Sequence, residues 1–200
     1  PTLNRGPLGL ALSTQTDRLT GTIGGAWISG ENFLGLAYGV TDSNYGSPSE
    51  PGELIEIDLH QQRVNAQGKW EAPMPFLQKV EFKYGYSDYV HDEIEGGDEL
   101  ASRVKSHGHE ARLDFFHDPV GRLNGRFGGH LLHRDFNVVG EEAFVPPNTT
   151  ESWGFFALEE YERGPLRFEF GARAEHQSIQ SDAHNFDRDF NAFSFSLGAS

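Results

Sequence analysis

The residues best suited to chemistry are histidines and carboxylates near the middle of the chain. His107 and His109 are two residues apart, so their imidazoles share one face if the backbone is extended. Imidazole nitrogens and carboxylate oxygens together suit Zn²⁺, whereas Ca²⁺ prefers carboxylates without imidazole. The sequence therefore leaves two interpretations open, a solvated polar loop that binds no metal and a zinc site within one loop. The candidate ligands are His91, Asp92, Glu93, His107, His109 and Glu110.

The other histidines give no second site. His130 and His133 are three residues apart, so on a straight strand they face opposite sides and cannot act together. The chain shows no nucleophile beside a base, no glycine-rich phosphate loop and no separate pair of carboxylates. We therefore predict no catalytic residues and no cofactor, so the protein is not expected to be an enzyme.

The candidate ligands lie in a long predicted β-hairpin that spans residues 79–116. In its first arm Val80, Phe82 and Tyr84 alternate with Glu81 and Lys83, which predicts one apolar and one charged face. The return arm shows the same alternation. Between the arms we predict a long polar tip from His91 to Glu110, so the two arms form a wall and the tip bears the ligands.

Composition limits the function classes. The chain has 200 residues, 24 glycines, 16 phenylalanines, no cysteine and a net charge of -14. Such a negative charge disfavours nucleic acid and docking on anionic lipid by charge. Without cysteine there is no disulfide framework and no Cys-ligated metal. The sequence contains no apolar run of 18 residues, so it predicts no transmembrane helix. A membrane β-barrel stays possible, because apolar and polar side chains alternate along the strands of such a barrel.

Nine strands are predicted, and the fold class is all-β. They span residues 20–29, 33–41, 54–71, 79–89, 111–116, 123–137, 152–162, 166–176 and 189–199. Short connections (30–32, 72–78, 118–122, 163–165) alternate with long ones (42–53, 91–106, 138–150, 178–188). This pattern is typical of an antiparallel up-and-down meander in a transmembrane β-barrel.

Two details of this strand assignment stay open in the sequence. The apolar face of 152–162 is undecided, because Trp153/Phe155 and Phe156/Leu158 compete. The pattern also allows a short additional strand at residues 8–12.

Three segments resemble the barrel of TonB-dependent outer-membrane receptors. They are Asp42-Ser-Asn-Tyr-Gly46, Tyr86-Ser-Asp-Tyr-Val-His-Asp-Glu-Ile-Glu-Gly-Gly97 and Arg134-Asp-Phe-Asn-Val-Val-Gly-Glu-Glu-Ala-Phe-Val-Pro-Pro147. The likeness runs from about residue 19 to residue 173. The three segments are similar to those of the branch of the family that is associated with zinc uptake.

The resemblance implies a barrel of about 22 strands with a plugged lumen, of which about nine would lie here. We expect residues 1–200 to be a partial barrel, with the plug domain, signal peptide and closing strands outside it. The family imports scarce nutrients, and the likeness to its zinc-uptake branch makes zinc the preferred substrate. The implied location is the Gram-negative outer membrane. The implied partners are outer-membrane lipid, TonB through the plug, and a metal ion or metal chelate.

Two alternative functions also fit the sequence. The first is a receptor for a siderophore or iron chelate. The second is a soluble all-β carbohydrate-binding module that uses Trp27, Trp70 and Trp153 as stacking platforms. The membrane barrel requires the apolar sides of the strands to face lipid, so Phe82 and Phe170 must not be sealed in a two-layer core.

Overall fold

Alternating apolar and polar side chains favour extended backbone, and almost the whole chain is β-strand. A computed structural model describes residues 15–48, 54–96, 99–140, 143, 145–181, 183 and 185–200. The nine strands are β1 (Thr16–Ser29), β2 (Asn32–Pro48), β3 (Leu54–Met74), β4 (Leu77–Glu95), β5 (Glu99–His117), β6 (Leu123–Gly140), β7 (Asn148–Arg163), β8 (Leu166–Ser181) and β9 (Phe186–Ala199). The short strand considered at residues 8–12 lies outside the described residues.

The strands form one sheet in chain order, and each pairs antiparallel with the next. The predicted all-β up-and-down meander of nine strands is therefore confirmed. Among the described residues no helix is long and apolar enough to cross a membrane.

Very short turns connect the strands at one edge of the sheet, which we call the turn end. Gly30 and Gly164 have φ angles of 60° and 62°, a left-handed conformation that glycine adopts without a steric penalty. They allow two-residue turns between Ser29 and Asn32 and between Arg163 and Leu166. The opposite edge, which we call the loop end, contains the connections at 49–53, 96–98, 141–147 and 182–185.

The strands extend further toward the loop end than the sequence predicts. The predicted loop at 91–106 is wrong: β4 continues to Glu95, β5 starts at Glu99, and their pairing runs almost without interruption. Both faces of this extension carry polar and apolar side chains together, such as His91 with Val104 and Val90 with Lys105, so neither face shows an apolar stripe. Backbone pairing does not require such a stripe, which is why the side-chain pattern indicates a loop where the backbone forms strands.

The sheet is a single layer with two unlike faces. On what we call the apolar face, strand pairing aligns apolar side chains into a band across all nine strands. Its main members are Ile23, Trp27, Leu34, Leu36, Tyr38, Val64, Trp70, Val80, Phe82, Tyr84, Leu113, Phe115, Phe127, Leu131, Trp153, Phe155, Phe168, Phe170, Phe193, Phe195 and Leu197. Many of them are exposed, and the band covers up to nine residues of a strand, about 27 Å.

The phenylalanines at 82, 115, 168 and 170 lie in this band, and none is buried. No second layer covers them among the described residues. The soluble two-layer sandwich is therefore wrong for this part of the chain. The three tryptophans lie on separate strands, β1, β3 and β7, within the apolar band and do not form one stacking platform.

The opposite, polar face is lined by ion pairs. Arg112 forms two hydrogen bonds with Asp114, at 2.7 and 2.9 Å, and Arg126 lies 3.6 Å from the same carboxylate. Arg173 donates to Glu175 at 2.7 Å on β8. In each pair the arginine neutralises the carboxylate next to it, on the face of the sheet opposite the apolar band.

Strand pairing decides the facing of β7. Trp153 and Phe155 belong to the apolar face, because they pair with residues of that face on β6 and β8. Phe156 and Leu158 belong to the polar face, where the guanidinium carbon of Arg112 lies 4.4 Å from the centroid of the Phe156 ring. A cation over an aromatic face stabilises a ring that would otherwise lie among charges.

Candidate functional site

The six predicted metal ligands do not form one group. Strand pairing places His91, Glu93 and Glu110 on the polar face, and it places Asp92, His107 and His109 on the apolar side. In the part of the chain that the structure describes, no three His, Asp or Glu side chains are arranged to hold a metal ion. The structure does not bring the six residues together, because two paired strands alternate their side chains where a loop was expected, and metal binding by these residues stays a prediction.

On the polar face, His91 and Glu93 are neighbours near the loop end. His91 Nε2 lies 3.6 Å from Glu93 Oε1, and the hydroxyl of Tyr89 lies 2.7 Å from His91 Nδ1. Ser102 Oγ donates a hydrogen bond to Glu93. The His91 side chain is 17% exposed and that of Glu93 is 31% exposed, so both are accessible from the polar face. Together they place one imidazole and one carboxylate side by side on the polar face.

Glu110 belongs to a different part of the polar face. It pairs with Gly85, six residues before His91 on β4, which is about 20 Å along the strand. It lines a hollow of about 400 Å³ with Arg63, Arg134 and other residues. Gly108 in this hollow cannot carry a side chain without a shift, since a Cβ would lie 2.8 Å from the carbonyl oxygen of His133.

On the opposite side, Asp92 is bound by Arg103. The Nε and Nη2 atoms of Arg103 donate to the two carboxylate oxygens of Asp92, each at 2.5 Å. Asp92 lies six residues beyond Tyr86 of the apolar band, outside the membrane-height part of β4. The hydrogen bonds from Arg103 lower the pKa of Asp92 below its ordinary value, so the carboxylate stays charged and neutralised by its partner.

His107 and His133 converge on one carboxylate of the same side. His107 Nε2 and His133 Nε2 lie 3.1 and 3.2 Å from Asp135 Oδ2, and Thr149 Oγ1 donates to Asp135 Oδ1 at 2.5 Å. His133 Nδ1 also lies 3.2 Å from Glu151 Oε1. The bonds from Thr149 and His133 lower the pKa of Asp135, and the Glu151 and Asp135 carboxylates raise the pKa of His133. This cluster lies beyond the apolar band and is internally satisfied.

His109 marks the upper border of the apolar band. Its Nδ1 lies 2.6 Å from the hydroxyl of Tyr84, and its ring centroid is 4.8 Å from that of Tyr86. Trp153 and His176, whose ring centroids are 5.3 Å apart, occupy the same border on β7 and β8. Rings with one polar atom suit the zone where hydrocarbon meets water, as in the aromatic girdles of membrane barrels.

An inversion of polarity near the loop end was not predicted from the sequence. In β3 the apolar residues Val64 and Trp70 lie on the apolar face, but Ile57 and Leu59 lie on the polar face. On neighbouring strands Val104 and Val138 pair with each other on that same polar side. The signal in the sequence was the break in alternation at residues 60–63, which marks the switch of the apolar side chains between faces. Above the band, the polar side is therefore partly apolar.

Comparisons with known proteins agree with this architecture. Residues 6–200 match the family described as "TonB dependent receptor-like, beta-barrel". The fold is similar to that of a solved structure titled "Copper transporter OprC", with a TM-score of 0.78 and 12% sequence identity. That likeness covers 98% of this chain and 36% of the other, so the chain spans about a third of the length of the matched protein.

Proposed function

The chain belongs to the TonB-dependent receptor β-barrel family, and we propose from this membership that it forms part of the wall of a receptor that imports a metal-containing nutrient. It is part of an outer-membrane protein of a Gram-negative bacterium. The apolar face meets lipid and the polar face lines the barrel interior. Import would be driven through TonB acting on a plug domain, in the manner that the family resemblance implies.

One observation carries this proposal: the large apolar side chains of the nine strands gather in a band on one face, while most side chains opposite the band are small, polar or charged. A wall between lipid and an aqueous lumen requires this division. The band covers up to nine residues of a strand, the lower end of the range of about 9–11 residues with which a tilted membrane strand crosses the bilayer. Polar loop-end extensions then lie outside the cell, and the short turns face the periplasm.

We propose that the substrate is a metal ion, with zinc preferred, and that His91 and Glu93 contact it in the lumen. Imidazole and carboxylate suit Zn²⁺, and the imidazole also suits Cu²⁺. The likeness to a protein titled a copper transporter supports metal import in general and makes copper the competing choice. The other four predicted ligands are not needed for this proposal.

Metal binding to the whole receptor tests this role. Isothermal titration with Zn²⁺ and separately with Cu²⁺ compares the wild type with His91→Ala/Glu93→Gln. We expect the double variant to weaken Zn²⁺ binding, since both lumen-facing donors are removed. If the double variant binds both metals as the wild type does, His91 and Glu93 have no role in substrate contact.

The chain provides a matched control on the other face. His60 Nδ1 lies 2.6 Å from Asp42 Oδ1, so this pair has the same chemistry as His91 and Glu93 but faces away from the lumen. His60→Ala/Asp42→Asn should leave metal binding unchanged. A similar loss in both double variants would indicate non-specific surface binding rather than a lumen site.

A second substrate class, a metal chelate with apolar parts, is favoured by the inversion of polarity at the loop end. Leu59 and Val104, which pair with His91 from either side, offer apolar surface on the lumen side, which a hydrated metal ion does not need. Uptake of radiolabelled metal, supplied free or as an iron–siderophore complex, separates the two classes. Faster uptake of the complex, with reduced uptake in Leu59→Asp, would favour the chelate over the free ion.

A further inference from the structure

The polar face bears a hollow of about 400 Å³, which we call the lumen hollow. Its floor consists of small residues, Gly85 and Ser87 of β4 with Ser106 and Gly108 of β5. Strand pairing places these residues opposite the apolar band, so the hollow opens toward the barrel interior. Because the floor residues have little or no side chain, the space above them is free for a ligand.

The lumen hollow lies mostly on the loop-end side of the aromatic border. Tyr86 pairs with His109 at that border, and Ser87, Tyr89 and Ser106 lie beyond it toward the loop end. In the orientation proposed above, the loop end faces the outside of the cell. A ligand that enters from outside therefore reaches this hollow before it reaches the part of the wall at membrane height.

Two arginines stand at the same level on opposite sides of the floor. Arg63 of β3 pairs with Ser87, and Arg134 of β6 pairs with Gly108, so their Cα atoms are three strand spacings apart, about 14 Å. Both are exposed, and neither forms an ion pair in the part of the chain that the structure describes. Guanidinium groups bind carboxylates through charge-assisted hydrogen bonds, so a carboxylate in the hollow has a partner on each side.

The lumen hollow also contains acceptors, which exclude a purely anionic ligand. Glu110 lies two residues from Gly108 toward the turn end, is exposed, and forms no ion pair within the described ranges. The Nε2 atom of Gln61 donates to Ser87 Oγ at 3.1 Å, so its carbonyl oxygen stays available as a second acceptor. A ligand that has an ammonium group in addition to its carboxylates satisfies both kinds of partner.

Tyr89 connects the lumen hollow to the pair His91 and Glu93. It lines the hollow, and its hydroxyl lies 2.7 Å from His91 Nδ1. His91 is four residues from Ser87, about 14 Å along the strand. A bare metal ion cannot contact both places, whereas a chelate can place its metal near His91 and its organic part in the hollow.

We propose that the lumen hollow binds the organic part of a metal chelate of the amino-acid type, which carries carboxylate groups and a free ammonium group. Arg63 and Arg134 pair with carboxylate oxygens, and Glu110 pairs with the ammonium group. This inference deepens the proposed function and rests on it, because it assumes that a metal-containing substrate enters from the loop end.

Three zinc complexes with tripodal chelators of four donor atoms test the inference by isothermal titration of the whole receptor. Nitrilotriacetate supplies carboxylates, Nα,Nα-bis(carboxymethyl)lysine supplies carboxylates and a free ammonium group, and tris(2-pyridylmethyl)amine supplies neither. We expect the lysine derivative to bind most tightly and the pyridyl complex least tightly. Each step should be about tenfold, since each removes a charge-assisted contact.

Variants assign these differences to residues. Arg63→Gln/Arg134→Gln should weaken both carboxylate complexes at least about tenfold and leave the pyridyl complex unchanged. Glu110→Gln should remove only the advantage of the lysine derivative over nitrilotriacetate. The matched control is Arg188→Gln, an exposed arginine on the same face of β9 and at the level of Arg134, three strands away. It should bind all three complexes as the wild type does.

Equal binding of the three complexes by the wild type overturns the inference, and so does wild-type affinity in the double arginine variant. An equal loss in Arg188→Gln also overturns it, because the effect would then come from overall charge. Titration with free Zn²⁺ separates this inference from the proposed function. If free Zn²⁺ binding depends on His91 and Glu93 while the three complexes bind equally, only the chelate inference is wrong. If His91→Ala/Glu93→Gln changes no binding while the arginine variant does, only the metal-contact role is wrong.

Discussion

Arg112 lies between Asp114 and Phe156 on the polar face of the sheet. Its guanidinium forms two hydrogen bonds with the Asp114 carboxylate, and its central carbon is 4.4 Å from the centroid of the Phe156 ring. The Asp114 side chain is only 8% exposed. One arginine thus neutralises a buried carboxylate and covers an aromatic ring at the same time.

Removal of this arginine should destabilise the barrel. In Arg112→Ala the nearly buried Asp114 keeps only Arg126, at 3.6 Å, so the free energy of unfolding should fall by about 1–3 kcal/mol. Urea unfolding of the whole receptor in detergent micelles measures it. Arg122→Ala, at an exposed position of the turn end, is the control and should change stability little. Equal stability of the two variants would show that the Arg112 contacts are not stabilising.

Gly128 is required by close contact between strands. A Cβ at this position would clash with the carbonyl oxygen of Leu113 and would lie 2.7 Å from Cζ of Phe156. Gly128→Ala should therefore lower the free energy of unfolding by about 1–3 kcal/mol through strain.

The matched variant is Gly35→Ala, whose Cβ would meet its nearest atom, Cγ of Gln67, at 3.8 Å. This is an ordinary contact, so we expect little change. Thermal unfolding of both variants, followed by the mobility shift of the folded barrel in gels, gives the comparison. If Gly35→Ala is the less stable variant, β5, β6 and β7 do not approach one another closely at Gly128.

Acid should weaken the pair formed by Asp92 and Arg103. The pKa of folded Asp92 is below the ordinary value of 3.8, so the pair stabilises the fold at pH above that value. The contribution disappears as the pH falls through the lower pKa of the folded state. The melting temperature of the wild type should exceed that of Asp92→Asn at pH 7, and the difference should shrink below about pH 4.

The control for this acid effect is Asp187→Asn, a change at an exposed carboxylate of β9. Its difference from the wild type should be small at pH 7. A difference between wild type and Asp92→Asn that stays constant down to about pH 2 would contradict the pairing.

A charge on the apolar face should be costly at membrane height. Leu113 lies in the centre of the band and is 41% exposed in the sheet. Leu113→Arg should destabilise the folded barrel in lipid by about 2–4 kcal/mol, because the guanidinium would face hydrocarbon. Gln67→Arg, on the polar face next to the level at which Gly68, Phe82 and Leu113 pair, should cost much less. The two variants are compared by unfolding in lipid vesicles.

Much of the fold was predictable because membrane-height strands have a simple pattern. Residues 166–176 alternate strictly, and the structure gives β8 with Phe168 and Phe170 on one face and Arg167 and Glu169 on the other. Glycine at 30 and 164 identified two turns, since these positions need a positive φ. The assignment of successive connections to opposite ends of the sheet was also correct, although the connection at 96–98 is short.

The candidate site was predicted less well, for a physical reason. Beyond the apolar band both faces of the sheet contact water or are partly covered by neighbouring side chains. The alternation of polar and apolar residues therefore no longer indicates which residues form strands. His107 and His109 share a face, as the sequence predicts. His91 lies on the other face, because it pairs with Val104, whose side chain points opposite to those of the two histidines on β5. The apolar residues on the polar side at the loop end, Leu59, Val104 and Val138, were missed as a group, because they come from three strands and no local spacing reveals them.

The apolar face must meet lipid if this sheet is the wall of a membrane barrel. The chain contains no cysteine, so single cysteines introduced at Phe82, Lys83, Tyr84 and Gly85 can each carry a spin label without competing sites in this chain. In the whole receptor in lipid vesicles, electron paramagnetic resonance measures access of oxygen and of a water-soluble nickel complex to each label. We predict oxygen access at 82 and 84 and nickel access at 83 and 85. Equal access at all four positions, or the reverse order, would contradict this orientation of the sheet.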